Sequence, residues 1–135
     1  MHVTMDLTPI ADDDVCPVRE ILDRIGDKWS VLVISNLAGE TLRFNALKLR
    51  ITGISQRMLT ETVRKLERNG MLSRTIYPTI PPRVEYALTP LGQTFVEPIQ
   101  TLVHWADSHS REILAARRAY DIEQEQPVQA ITMSY

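Results

Sequence analysis

A change of period at Asn69-Gly70 constrains this chain more than any other feature of its sequence. Upstream, Leu59, Val63 and Leu66 recur at three-to-four spacing, the stripe of a helix with one buried side. Downstream, "MLSRTIY" and "RVEYALT" read as short strands, the second alternating Val84, Tyr86 and Leu88 against Arg83 and Glu85. The five residues "PTIPP" between them form a stiff, extended tip, because proline lacks the N–H a ladder needs. In 135 residues, a helix feeding one hairpin predicts a single small domain, mainly α with a small β-wing.

The remaining segments supply helices. Pro17 suits a first helical position, Val18, Ile21, Leu22 and Ile25 share one face, and Gly26 stops that helix in left-handed geometry. Asp27 then caps a second helix whose Trp29, Leu32, Val33, Ile34 and Leu37 are too many for one stripe, so it belongs at the centre of the core; Gly39 ends it. Leu42 marks a short strand beside the wing, and Phe44, Leu47 and Ile51 trace the buried face of a short third helix. "ITGI" makes a tight turn before Ser55, an N-cap, with Ile54 and Leu59 spaced as a hydrophobic staple. Thr89-Pro90 opens a last long helix running to about Tyr120, which Pro98 should kink or split. The expected layout is a flexible acidic segment over 1–15, one domain over 16–119 and a mobile polar tail over 120–135.

Charge is segregated along this layout. The whole chain carries 15 Lys/Arg against 17 Asp/Glu, yet residues 43–83 hold nine basic side chains and two acidic ones. A basic block between acidic flanks is the footprint of a domain that offers one face to a polyanion. On the outer side of the helix over 55–69, Gln56 matches adenine, Arg57 guanine, and Thr60 a thymine methyl or a donor site. Ser55 brings free N–H groups to a phosphate, while Arg64 and Lys65 suit phosphates further along. Arg43 is placed to hold the backbone from the third helix, and Thr79, Pro82 and Arg83 to carry the wing to a groove edge. The plainer alternative makes Ser55 a cap alone, with Arg64, Lys65 and Arg68 solvated and paired to Glu61 and Glu67.

These residues carry a resemblance. "CP" at 16–17, "DKWSVLVI" at 27–34, "RFNAL" at 43–47, "GISQRMLTETVRKLERNG" at 53–70 and "YPTIPPRVEYALTPLG" at 77–92 are similar to the HxlR family of bacterial winged helix-turn-helix regulators. The resemblance spans about residues 16–105, and its wing string is the most specific part. Ala46 and Thr79 depart from it, each standing where an acidic residue is common, and both losses of negative charge favour DNA. It implies a homodimeric transcription factor with N- and C-terminal dimerisation helices, recognition helices in successive major grooves and wings on flanking DNA. The operator would be pseudo-palindromic, with half-sites roughly 34 Å apart, and repression is the expected outcome. Ile21 of the first helix and Ile99, Leu102, Val103, Trp105, Ala106, Ile113 and Leu114 of the last are the expected dimer contacts, and those of the last helix form an apolar stripe larger than one small core should need. In several members of that family a cysteine in the "CP" position senses oxidants or electrophiles. For Cys16 two readings stand: a thiolate favoured by a helix N-terminus, or a buried cysteine whose thiol the neighbouring "DDD" at 12–14 keeps protonated.

Rival classes are weaker. His2, His104 and His109 form no metal-ligand spacing, no serine or cysteine has a visible base, and no phosphate-binding glycine loop occurs, so neither enzyme, metal nor cofactor is expected. His104 reads as an interface or core residue. The N-terminus lacks the basic-then-apolar order of a signal peptide and no apolar run approaches a membrane span, which predicts a cytoplasmic location. Two alternatives keep the fold: the same regulator controlled by a small ligand, and a winged helix that binds protein.

Overall fold

The computed structural model describes residues 18–125. The elements run α1 (Val18–Ile25), α2 (Lys28–Asn36), β1 (Leu42–Arg43), α3 (Phe44–Arg50), α4 (Gln56–Arg68), β2 (Leu72–Tyr77), β3 (Arg83–Leu88) and α5 (Pro90–Glu125). The three strands form one antiparallel sheet in the order β1-β3-β2, in which Leu42 lies opposite Tyr86 and Leu72 opposite Leu88. The chain divides into two compact units, Met1–Gln100 and Thr101–Tyr135.

In the first unit, α2 and α4 start where a side chain satisfies a free N–H. Asp27 accepts from the Ser30 backbone at 2.9 Å and from its hydroxyl at 2.8 Å, capping α2. Ser55 accepts from Met58 N at 3.0 Å and caps α4. The other end of α4 is a Schellman motif: Gly70 N bonds Glu67 O and Met71 N bonds Leu66 O, with Gly70 at φ 75°. Gly53, at φ 86°, makes the turn between α3 and α4. Around these ends close Val33, Ile34 and Leu37 of α2, Leu47 of α3, Leu59, Val63 and Leu66 of α4, and Ile54, Met71, Leu72, Tyr86 and Ile99. Fully burying a side chain of this size contributes about 1.5–3 kcal/mol, so this cluster holds α4 against α2.

Four expectations need correction. Gly26 is absent from the left-handed residues; its backbone passes Leu22 so closely that a Cβ would meet Leu22 O at 2.6 Å, and that approach is why glycine stands there. Leu32 is exposed rather than central, because Val33, Ile34 and Leu37 already fill the buried side of α2. α5 is neither split at Pro98 nor ended near Tyr120: it is one helix of 36 residues to Glu125, since Asp121 to Glu125 include neither glycine nor proline. Ile99, expected at a dimer face, is 2% exposed in the first unit's core.

Among the described residues of the second unit, Thr101 to Glu125 are helical and nearly all exposed, Leu102, Val103, Trp105, Ala106 and Leu114 included; Ile113 is half-buried. His104 is exposed, which removes its core reading. Trp105 stacks on His109 with ring centroids 4.9 Å apart. The expectations for Cys16, Pro17, the acidic segment over 1–15 and the end of the tail lie outside the described residues.

Candidate nucleic-acid interface

α3, the turn through Gly53 and α4 form a helix-turn-helix, with the β2–β3 hairpin following as a wing. The staple is in place: Ile54 and Leu59 are both buried, on either side of the Ser55 cap. With Leu59, Thr62, Val63 and Leu66 turned inward, the opposite side of α4 is left to Gln56, Arg57, Glu61, Arg64 and Arg68, all exposed. Thr62 carries no apolar signal; its hydroxyl is buried because it donates to Met58 O at 2.7 Å within the helix. Thr60 donates likewise to Gln56 O at 2.9 Å and is half-buried, with its methyl group free of that bond.

The cations differ in how committed they are. Arg57 Nε lies 3.2 Å from Glu61 Oε1, yet its side chain is 89% exposed, and an exposed pair one helical turn apart is worth only about 0.3–0.5 kcal/mol. That pair breaks at little cost. Arg43, Arg64 and Arg68 have no carboxylate within ion-pair distance among the described residues. Arg50 is taken up by Glu40 at 2.6 and 3.1 Å, a bidentate pair.

Lys65 is a correction. Its Nζ sits 2.5 Å from Asp27 Oδ2, with both side chains about two-thirds covered, so it ties α4 to the start of α2 rather than reaching out to phosphate. Burial pushes the Asp27 carboxyl up, but donation from Lys65 and from the Ser30 backbone and hydroxyl outweighs it and holds the group below its ordinary value. Asp27 is thus cap and anchor together, and sequence showed only the cap.

In the wing, Thr79 and Pro82 are exposed at the tip, where Thr79 donates to Pro81 O at 2.8 Å. Arg83 is less free than its position in the sequence suggests. Its guanidinium lies 4.1 Å from the Tyr77 ring centroid and its Nε 3.3 Å from Glu85 Oε2. That Nε is buried without a well-directed hydrogen bond, so Arg83 braces the base of the wing. Between the tip and the start of α3 lies an open cleft of about 690 Å³ that both Arg43 and Arg83 line. Gln56, Arg57, Thr60 and Arg64 therefore lie away from the buried stripe of α4, with Ser55 capping its start, while Arg43, Thr79, Pro82 and Arg83 line the cleft at the wing.

A capped helix-turn-helix followed by a proline-tipped wing matches a known family, HxlR-like helix-turn-helix, over residues 24–113. The chain belongs to the HxlR-like family. The HTH-type transcriptional regulator YtfH of Escherichia coli (strain K12) is 41% identical over 102 residues, 76% of this chain and 81% of YtfH. The structure of the putative transcriptional regulator ytfH from Salmonella typhimurium superposes with a TM-score of 0.71 at 38% identity, covering 76% of this chain and 92% of that one. The redox regulator HypR resembles it in both states. Its oxidised form is 38% identical with a TM-score of 0.64 over 69% of this chain and 96% of that one; its reduced form is 36% identical with 0.67 over 75% and 99%. This HxlR-like chain is a transcriptional regulator with a winged helix-turn-helix domain, and no helix among its described residues is long and apolar enough to cross a membrane.

Proposed function

We propose that this regulator binds operator DNA by laying the outer side of α4 in the major groove, with the wing tip on flanking DNA. The observation that carries the reading is the row Gln56, Arg57, Arg64 and Arg68, exposed along a helix of 13 residues whose opposite side is locked into the core. Such a helix is about 20 Å long and fits a major groove about 12 Å wide. Gln56 and Arg57 occupy the first turn, where side chains meet base edges; Arg64 and Arg68 follow the phosphates, and Arg43 holds the backbone beside the wing.

The protein acts as a homodimer in the cytoplasm. Leu102, Val103, Trp105 and Leu114 are all exposed, as is Ile21 of α1, and a second copy would bury these apolar groups. Repression follows when a dimer occupies a promoter. Cys16 serves as an oxidant-responsive thiol, a reading supported by the likeness to HypR, whose oxidised and reduced forms are both redox-regulator structures.

Selection from random duplexes, then anisotropy titration of Arg57→Ala on the selected site, tests the core of this. We expect a loss of about 1–3 kcal/mol in specific affinity and relaxed choice at one base position. Unchanged affinity and unchanged preference would remove α4 from base readout. Diamide treatment of wild type and Cys16→Ser bound to the same duplex tests the thiol: equal release from both excludes Cys16 as the sensor.

A further inference from the structure

We propose that the cavity bounded by α1, the end of α4 and the start of α5 binds an uncharged, largely apolar small molecule that donates a hydrogen bond. The cavity is about 370 Å³ and is lined by Ile21, Ile25, Met71, Leu91 and Phe95 with Asn69 and Thr94. That volume lies within the range of ligand pockets and is on the order of a dozen water-sized spaces, enough for a two-ring molecule. Leu91, exposed and outside the proposed dimer contacts, leaves one side of its mouth open.

The lining sets the chemistry. It contains no charged side chain, so a carboxylate or ammonium would lose its hydration without a partner. Each of its two polar groups makes one donation within the fold: Asn69 Nδ2 to Lys65 O at 2.7 Å, and the Thr94 hydroxyl to Leu91 O at 2.5 Å. What remains is acceptor capacity at Asn69 Oδ1 and Thr94 Oγ1 together with the second N–H of Asn69 Nδ2, a set that a phenol, amide or aniline, able both to donate and to accept, would satisfy.

The cavity also abuts the joint that fixes the recognition helix. Asn69 is the C-cap of α4 and Met71 the second residue beyond it. Thr89 N donates to Met71 O at 3.0 Å, the Thr89 hydroxyl to Gly70 O at 2.5 Å, and Gly92 N to Thr89 Oγ1 at 3.0 Å. Gly92 is so close to this strap that a Cβ would meet Met71 O at 2.1 Å. A molecule seated against Asn69 and Met71 therefore presses on the end of α4 through packed atoms and alters the set of its outer side. This regulatory consequence rests on the DNA reading above; the binding itself does not.

Calorimetric titration of the full chain with 2-naphthol, 2-naphthoate and naphthalene tests the site. We expect saturable binding of 2-naphthol, at least about tenfold tighter than 2-naphthoate. Leu91→Trp should fill the mouth and weaken 2-naphthol by at least about tenfold without moving the unfolding midpoint. Thr94→Val, at an exposed position, should bring 2-naphthol toward naphthalene in affinity. The proposal is overturned by equal affinity for 2-naphthol and 2-naphthoate, by undiminished binding to Leu91→Trp, or by no saturable binding up to the solubility limit. Binding that emerges only when Leu102→Asp separates two copies would assign the cavity to the partner chain and overturn it as well. Duplex affinity measured with and without 2-naphthol separates the two claims: a chain that binds 2-naphthol but no duplex leaves the cavity standing and removes the DNA reading.

Discussion

Arg64 and Lys65 are neighbours in the chain with different duties. Arg64 is exposed and free of carboxylates among the described residues, whereas Lys65 is spent on Asp27. Arg64→Ala should therefore flatten the dependence of log K on log salt by about one unit, and Lys65→Ala should leave that slope alone. Lys65→Ala should instead lower stability by at most about 1 kcal/mol, since a third of each side chain still faces solvent. Titrations of both variants across a salt series decide this, and a flattened slope for Lys65→Ala would return that residue to the phosphate contacts. The pH dependence follows from the depressed Asp27 carboxyl. Its folded value lies below its ordinary 3.8, so the stabilisation is fully present above that value and is lost as pH falls through the folded one. Chemical denaturation should show a constant gap between wild type and Asp27→Asn from about pH 5 to 8, closing below about pH 4. The sequence could not reveal this pair, because its members stand 38 positions apart and each has a nearer role, a cap for one and a basic helix surface for the other.

At the scale of elements, the parts legible in the sequence were those with a local cause. Ser55, Ile54 and Leu59 announce α4, Asn69-Gly70 ends it, and "PTIPP" separates two strands, each signal lying within a few residues of its effect. The errors came where distant packing or plain propensity decides. α5 extends past Tyr120 because a polar run without glycine or proline stays helical, although no apolar stripe marks it. Ile99 shares its spacing with exposed Leu102 and Val103, and only the folded core distinguishes them. The α4–α5 strap was also illegible, since it depends on a backbone approach at Gly92. Gly92→Ala should destabilise by about 1–3 kcal/mol, the usual cost of overpacking, and a thermal melt will check it. An unchanged midpoint would mean that α5 can move away from Met71 freely.

For the whole molecule, the unmatched quantity is apolar surface. α1 has no buried residue, and Val18, Ile21 and Leu22 are all exposed; so are Leu102, Val103, Trp105 and Leu114. Solitary exposed apolar residues are ordinary, but each of these two groups is more than solitary, and the proposed dimer would bury them. Leu102→Asp combined with Trp105→Asp should shift sedimentation from dimer to monomer and weaken binding to a two-half-site duplex more than to a single half-site. A monomeric wild type at micromolar concentration would contradict the dimer.

The root of the wing has a separate consequence. Leu72 faces Leu88 as the first rung of the hairpin, and Thr89 N closes onto Met71 O just behind it. The excursion from Met71 to Thr89 therefore begins and ends at one latched point, and residues added or removed at Pro78–Pro82 need not displace the helices on either side. The finger's length and chemistry are thereby free to change while α4 keeps its seat.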